Sequence, residues 1–151
     1  MKDGSRNIYK SARLAAGLTQ ARWAEMLGVS EESVRLYESG RGYPSDAVAA
    51  AMAEVAMMPV LCYWHIKETS GVANDLLPEV ELLPLPQAVL QLLVAVKDLR
   101  QELDELLIIA ADGIVDGAEQ APFQEILDRL QNLIRAALAV HYAEGGRTDG
   151  D

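Results

Sequence analysis

The sequence has few of the residues that crosslink small proteins or anchor them in membranes. Its one cysteine, Cys62, excludes an internal disulfide, and with only two histidines, His65 and His141, no structural zinc set can be assembled. There is no run of about 18 apolar residues that could span a membrane, and the first ten residues lack the apolar stretch of a signal peptide. We therefore expect a cytoplasmic protein with no metal, no other cofactor and no membrane segment.

Basic residues are also scarce, and the balance between basic and acidic residues differs between the first and second parts of the chain. Up to Met58 seven basic residues balance seven acidic ones, whereas from Pro59 onward six stand against sixteen, so the whole net charge of −10 lies in the second part. An acidic chain is not expected to coat nucleic acid through bulk charge, but this exclusion applies only to the second part. The chain is 50% hydrophobic, which excludes disorder for most of its length.

The first part is predicted to be a series of short helices. Gly17, Gly28 and Gly40 each follow an apolar periodic stretch, where a helix end favours positive φ, and a Thr or Ser stands where each later helix begins. The predicted helices cover residues 8–16, 19–27, 30–39 and 45–57. No stretch alternates with period two for long enough to predict a strand, so we expect an all-α protein.

We divide the chain into four segments. Residues 5–58 form the first helical domain, 59–86 a further short helix and a proline-rich connector, 87–142 a helical hairpin, and 143–151 a disordered tail. The turn at residues 112–119 is similar to half of a calcium-binding loop, but Ile108 and Ala110 stand where the first carboxylates would be needed. We expect no calcium there, and interpret Asp116 and Glu119 as a capping box.

Residues 86–111 and 122–142 are predicted to be long helices with apolar residues three and four positions apart. This heptad pattern predicts that they pack as an antiparallel hairpin. The second helix has a further apolar stripe, so we expect a second copy of the chain to cover the hairpin and form a homodimer. The predicted dimerisation residues are Val89, Leu92, Val96, Leu99, Leu103, Leu106, Ile126, Leu130, Leu133 and Ala137.

Residues 20–37 fit the physical requirements of a helix-turn-helix. Ala24 is small where two helices would cross, and Gly28 supplies the positive φ of a tight turn. Val34 and Tyr37 fall where the second helix would face inward. Each feature alone is weak, but their order and spacing are specific.

The segment RLAAGLTQARWAEMLGVSEESVRLYESGRGYP, Arg13 to Pro44, resembles the Cro/repressor-type helix-turn-helix family, which is lambda-repressor-like. The resemblance covers about residues 7–57 and implies a five-helix domain that binds operator DNA as a dimer. It also implies that Gln20 bonds a DNA phosphate. Arg13 and Glu38 match a structural ion pair of the family.

The resemblance places residues 30–39 in the major groove as the recognition helix. Its DNA-facing residues would be Ser30, Glu31, Glu32, Ser33, Arg35 and Leu36, with Lys10 and Arg41 nearby as phosphate contacts. Glu31 and Glu32 depart from the family pattern, which favours Gln, Arg, Ser, Thr or Asn. Either these carboxylates accept hydrogen bonds from cytosine N4, or they only stabilise the helix N-terminus and the surface no longer docks on DNA.

Two functions follow. The first is a sequence-specific transcription regulator, by default a repressor, that binds double-stranded DNA as a dimer on a palindromic operator. The second is an antitoxin-like or other protein-interaction regulator, in which the acidic hairpin binds a basic protein and DNA contact is weak or lost. With no glycine-rich phosphate loop, no paired catalytic carboxylates and no Ser/His/Asp arrangement, we do not expect an enzyme.

Overall fold

A computed structural model describes residues 7–143, and every regular element in that range is helical. The all-α prediction is thus confirmed for the described chain. The start of the predicted first domain, residues 5 and 6, and the predicted tail from residue 144 lie outside it. The helices are α1 (Ile8–Ala15), α2 (Gln20–Leu27), α3 (Glu31–Glu38), α4 (Asp46–Val55), α5 (Val60–Thr69), α6 (Gly71–Leu76), α7 (Leu85–Gln101), α8 (Leu103–Ile109) and α9 (Gln120–His141).

Side-chain caps begin the first four helices. The side chains of Asn7, Thr19, Ser30 and Ser45 each accept a hydrogen bond from the backbone N–H three residues later, at 2.9, 3.2, 3.0 and 3.4 Å. The predicted positive φ is confirmed at the three glycines that follow α1, α2 and α3. Each of these four helices therefore begins at a capping side chain, and α1, α2 and α3 each end close to a glycine with positive φ.

The first compact unit extends to Leu77 and includes α5 and α6. Leu61 of α5 is fully buried in one apolar cluster with Tyr9, Trp23 and Met52. The Lys67 ammonium near the end of α5 donates to the carbonyls of Asn74 and Leu77. These hydrogen bonds hold α6 against α5 in the same unit.

This division falls later than the predicted domain end at residue 58. The segment 59–86 supplies a packed helix to the first unit before the second unit begins at Pro78. In sequence the second unit follows the first with no residues between them, because the apolar residues of α5 pack against α1 and α4 and Leu83 belongs to the buried cluster of the second unit.

The second unit is built on α7 and α9, which pack against each other in opposite directions. Ala88, near the start of α7, clusters with Ala139, near the end of α9. At the other end Arg129 of α9 forms a 3.0 Å ion pair with Glu102. The expected single helix over residues 86–111 is wrong at this point, because α7 ends at Gln101 and α8 begins at Leu103.

The side of α7 that packs against α9 is not the side that the heptad pattern predicted. The buried or half-buried residues of α7, of α8 and of the position between them are Leu85, Ala88, Leu92, Ala95, Asp98, Leu99, Glu102, Leu106 and Ile109. Leu92, Leu99 and Leu106 belong to both registers, whereas Val89, Val96 and Leu103 are exposed. On α9, Ile126 is fully buried within the unit, Leu130 and Leu133 are half-buried, and Ala137 is exposed.

The capping box predicted in the turn before α9 is confirmed. The Asp116 carboxylate accepts from the backbone N–H of Glu119 at 3.0 Å, and the Glu119 carboxylate accepts from the N–H of Asp116 at 3.1 Å. Among residues 7–143, no helix combines the length and the hydropathy needed to cross a bilayer.

Candidate nucleic-acid interface

The turn between α2 and α3 has a fixed geometry. Gly28 has φ of 66°, and the next N–H, that of Val29, bonds to the Ala24 carbonyl at 3.1 Å. Ser30 then returns to extended backbone and its hydroxyl caps α3. The chain thus leaves one helix and enters the next within three residues.

Packing fixes which side of each helix faces outward. Trp23, Ala24 and Val34 are buried in the core of the first unit, as the sequence predicted for Ala24 and Val34. Tyr37 packs against the same core while half-buried. Because both helices bury these sides, the opposite side of α3 is presented to solvent.

The residues predicted to face DNA lie mostly on that exposed side. Ser33 is half-buried, and its hydroxyl shares a 2.8 Å hydrogen bond with that of Ser30. The exposed members of the set are Ser30, Glu31, Glu32, Arg35 and Leu36. The structure therefore gathers the predicted base-contacting residues on one accessible helix surface.

Three charged residues on this surface are bonded to one another. The Arg35 guanidinium donates to Glu31 at 2.6 Å and to Glu32 at 3.1 Å. The hydrogen bond to Glu32, and then the charge of Glu31, raise the pKa of Arg35. The group carries a net charge of −1, so it does not attract phosphate. Sequence reasoning treated the three side chains separately, although their spacing of three and four residues on a helix would have indicated the ion pairs.

Arg13 and Glu38 form the buried ion pair that the family resemblance implied. Arg13 donates from Nε and Nη2 to the two carboxylate oxygens at 2.5 and 3.0 Å, and from Nη1 to the Leu18 carbonyl at 2.7 Å. The side chains are only 9% and 5% exposed. Burial alone would raise the pKa of Glu38, but the hydrogen bonds from Arg13 and Gln20 lower it below its usual value.

Gln20, the predicted phosphate contact, belongs to this buried network. It is the first residue of α2, and its side-chain amide donates to Glu38 at 2.8 Å. The ion pair therefore orients the Gln20 side chain at the N-terminal end of α2. The sequence located the residue but did not indicate this hydrogen bond, which joins residues 18 positions apart.

Lys10 and Arg41, the other predicted phosphate contacts, are both exposed. Neither forms an ion pair with any residue of the described chain. The Lys10 charge helps to lower the pKa of Glu38, the last residue of α3. The backbone N–H of Arg41 bonds to the Leu36 carbonyl at 3.1 Å, which fixes the start of the following loop.

Sequence reasoning missed two polar connections that support this surface. The Asn7 amide donates to the Tyr37 carbonyl at 2.7 Å and so ties the start of α1 to the end of α3. The Tyr9 hydroxyl and His65 Nδ1 lie 2.9 Å apart, and His65 Nε2 lies 3.0 Å from the exposed Asp46 carboxylate. Burial raises the pKa of Tyr9. Both connections join distant parts of the chain, so no local pattern reports them.

No cluster of three or more His, Cys, Asp or Glu side chains within residues 7–143 could hold a metal ion. The arrangement described above is instead a small helical domain that presents one capped helix to solvent. The chemistry that this surface offers is hydrogen bonding by hydroxyl, carboxylate and guanidinium groups.

Comparison with known proteins agrees with this geometry. A family model described as helix-turn-helix matches residues 10–55, which run from within α1 to the end of α4. No curated protein and no solved structure matches the chain. The matched segment contains the Arg13–Glu38 pair, the α2–α3 turn and the whole exposed surface of α3. Residues 10–55, about a third of the chain, therefore match the helix-turn-helix family of the lambda-repressor-like, Cro/C1 type.

Proposed function

We propose that the protein is a sequence-specific transcription regulator that inserts α3 into the major groove of operator DNA. The observation that carries the proposal is the helix-turn-helix match at residues 10–55, in which α3 presents an accessible row of polar side chains. An α-helix fits the major groove, where the edge of each base pair offers a distinct pattern of donors and acceptors.

Contacts to phosphate and to bases come from different residues in this proposal. Gln20, Lys10 and Arg41 bond phosphates and set the position of the domain. The base contacts come from Ser30, Glu31, Glu32, Ser33, Arg35 and Leu36. The carboxylates of Glu31 and Glu32 accept hydrogen bonds from cytosine N4, and Arg35 is then released toward guanine or phosphate.

Two copies acting together supply the affinity that one domain lacks. Since residues 1–58 carry no net charge, each copy neutralises few phosphates and binds random DNA weakly. A dimer held by the second unit places two α3 helices about 34 Å apart on a palindromic operator, one helical turn of DNA. Such a dimer, acting in the cytoplasm, represses transcription by covering a promoter.

Selection of bound duplexes from a random library, with the full-length protein at moderate salt, tests the proposal. A palindromic consensus is the expected result. Recovery of no consensus would contradict the proposal and leave the protein-interaction function as the better account.

Glu32→Gln is expected to change the preferred base at one position of each half-site by about 1–3 kcal/mol of discrimination. It also removes one negative charge, so affinity for random DNA rises several-fold. Glu25→Gln on α2 is the matched control, because Glu25 is likewise exposed and paired with an arginine, Arg22. The control leaves the consensus unchanged. If both variants selected the parent's consensus, Glu32 would not contact a base.

Gln20→Ala is expected to weaken binding to all duplexes by a similar factor, about fivefold, because a phosphate contact carries no sequence information. Competition titrations with specific and random duplexes measure the two affinities. Thermal unfolding of the variant is recorded in parallel, since Gln20 also donates to Glu38. A loss confined to the specific duplex would place Gln20 against a base instead.

A protein-interaction function is the second candidate, and one observation favours it. Both carboxylates at the start of α3 are engaged by Arg35, so the helix needs no DNA to satisfy its charges. In that case the acidic second unit binds a basic protein, and the library selection returns no consensus.

A further inference from the structure

Arg35 contacts Glu31 and Glu32 with only part of its hydrogen-bonding capacity. A guanidinium carries five N–H groups, and Arg35 donates from Nη1 to Glu32 Oε2 and from Nη2 to Glu31 Oε1. Within residues 7–143, the remaining N–H groups of Arg35 and the second oxygen of each carboxylate have no hydrogen-bond partner. The side chains of Arg35 and Glu32 are 51% and 71% exposed, so these groups are accessible to a ligand.

The contact between Arg35 and Glu32 has the spacing of two neighbouring groups on a G·C base pair. Nη1 of Arg35 lies 3.1 Å from Oε2 of Glu32, so a donor and an acceptor stand side by side on the exposed surface of α3. In the major groove guanine O6 accepts and cytosine N4 donates, and the hydrogen bond that joins these two atoms is about 2.9 Å long. The protein donor can therefore face O6 while the protein acceptor faces N4.

The order of donors and acceptors also fits a G·C pair. From guanine to cytosine, the major-groove edge presents two acceptors, N7 and O6, and then the donor N4. The ion pair presents the complementary order, because two guanidinium donors are followed by a carboxylate acceptor. On an A·T pair the second guanidinium donor would meet the adenine N6 donor, and the carboxylate would meet the thymine O4 acceptor. The ion pair therefore complements G·C and not A·T.

The charges of the three side chains favour a base over a phosphate as the partner of Arg35. One guanidinium and two carboxylates within 2.6 and 3.1 Å of it carry a net charge of −1. A phosphate placed against Arg35 would be repelled by both carboxylates. The edge of a base pair carries no net charge, and its donor at cytosine N4 gives a carboxylate a partner.

We infer that Glu32 and Arg35 read one G·C base pair of the half-site together. Arg35 donates to guanine N7 and O6, and Glu32 accepts from N4 of the cytosine in the same pair. Glu31 is a positioning residue, because its 2.6 Å bond orients the Arg35 guanidinium. This inference rests on the proposed function and goes beyond it by assigning both residues to one pair. Release of Arg35 toward guanine requires no separation from Glu32, since N–H groups remain for the base.

Arg35→Lys and Glu32→Gln test the inference by selection of bound duplexes from a random library with the full-length protein. The lysine keeps the charge and can still bond a phosphate, but it lacks the planar pair of donors that matches N7 and O6. Glu32→Gln replaces an acceptor-only carboxylate with an amide that also donates. The parent is expected to prefer G·C about tenfold at one position of the half-site. Both variants are expected to reduce this preference below about threefold at that same position.

The exposed pair of Arg22 and Glu25 on α2 provides matched controls. Its 2.6 Å contact joins side chains that are 57% and 69% exposed, and it lies outside α3. Arg22→Lys and Glu25→Gln are expected to select the consensus of the parent unchanged. Far-ultraviolet circular dichroism checks that every variant is helical.

A base analogue tests the guanine contact and the part played by Glu31. Replacing the guanine with 7-deazaguanine removes the N7 acceptor and keeps the Watson–Crick pair. The analogue is expected to weaken binding of the parent about tenfold and that of Arg35→Lys less than about twofold. For Glu31→Gln the loss is expected to be about threefold, because the guanidinium is held less firmly. A purely structural role of Glu31 would leave the analogue's effect as large as in the parent.

The outcomes separate this inference from the proposed function. A parent that selects no consensus contradicts both. A parent consensus combined with changes at different positions in the two variants, or with A·T at the shared position, overturns the inference and leaves the proposed function standing. An unchanged consensus for Arg35→Lys, or no effect of 7-deazaguanine on the parent, also overturns the inference and places Arg35 against a phosphate.

Discussion

Replacing Glu38 with alanine is expected to lower the free energy of unfolding of the first unit by about 3–5 kcal/mol, because the Arg13 charge is left buried without its partner. Arg13 is 9% exposed, and it keeps only its bond to the Leu18 carbonyl. Gln20 loses its acceptor in the same variant. Both tryptophans, Trp23 and Trp64, lie in the first unit, so their fluorescence during urea unfolding reports on that unit.

The exposed pair of Arg22 and Glu25 provides the control for this variant. Its side chains are more than half exposed, so solvent screens their interaction. Glu25→Ala is expected to change the free energy of unfolding by less than about 0.5 kcal/mol. Equal losses in the two variants would show that the Arg13–Glu38 pair contributes no more than a surface contact.

The same comparison has a pH dependence with a definite sign. The pKa of Glu38 is lower in the folded protein than in the unfolded chain, so the unfolded chain takes up the proton first as the pH falls. The stabilisation is complete above the ordinary carboxyl pKa and is lost as the pH falls through the lower folded value. The difference between the parent and Glu38→Ala therefore begins to shrink as the pH falls below the ordinary carboxyl pKa of 4.5, and it is lost below the folded value. A difference that stays constant would contradict the assigned cause.

The sequence predicted well those features that are determined within one turn of chain. Thr19, Ser30 and Ser45 cap helices because a hydroxyl oxygen can reach the N–H three residues later, whatever the rest of the fold does. The positive φ at Gly28 is equally local. Because the helix-turn-helix consists of such local features in a fixed order, its two helices and the turn between them could be located without a structure.

Features for which several residues could play the same part, such as the side of α7 that faces its partner helix, could not be predicted in the same way. The seam of α7 had two possible registers, because alanines at positions 88 and 95 can face a partner helix as readily as Val89 and Val96. Alanine lets the two helices approach closely, and the larger residues are then left for another surface.

Trp23 combines the largest buried volume of the core with a polar group that the core leaves unsatisfied. The side chain is fully buried, and its indole N–H has no hydrogen-bond acceptor among residues 7–143. A buried donor without a partner costs about 1–3 kcal/mol, while removal of a large aromatic side chain costs about 3–5 kcal/mol. Replacing the indole with a smaller apolar ring loses part of the packing but also removes the unsatisfied donor, so the two contributions to the free energy of unfolding have opposite signs.

Trp23→Ala is therefore expected to destabilise the first unit by about 3–5 kcal/mol, whereas Trp23→Phe costs less than about 2 kcal/mol. Phenylalanine keeps most of the contacts and removes the unsatisfied donor. Urea unfolding followed by Trp64 fluorescence measures both variants, with far-ultraviolet circular dichroism as a second probe. Equal destabilisation by the two substitutions would mean that the indole N–H is satisfied in solution, and that the core depends on hydrogen bonding by Trp23 and not on its volume alone.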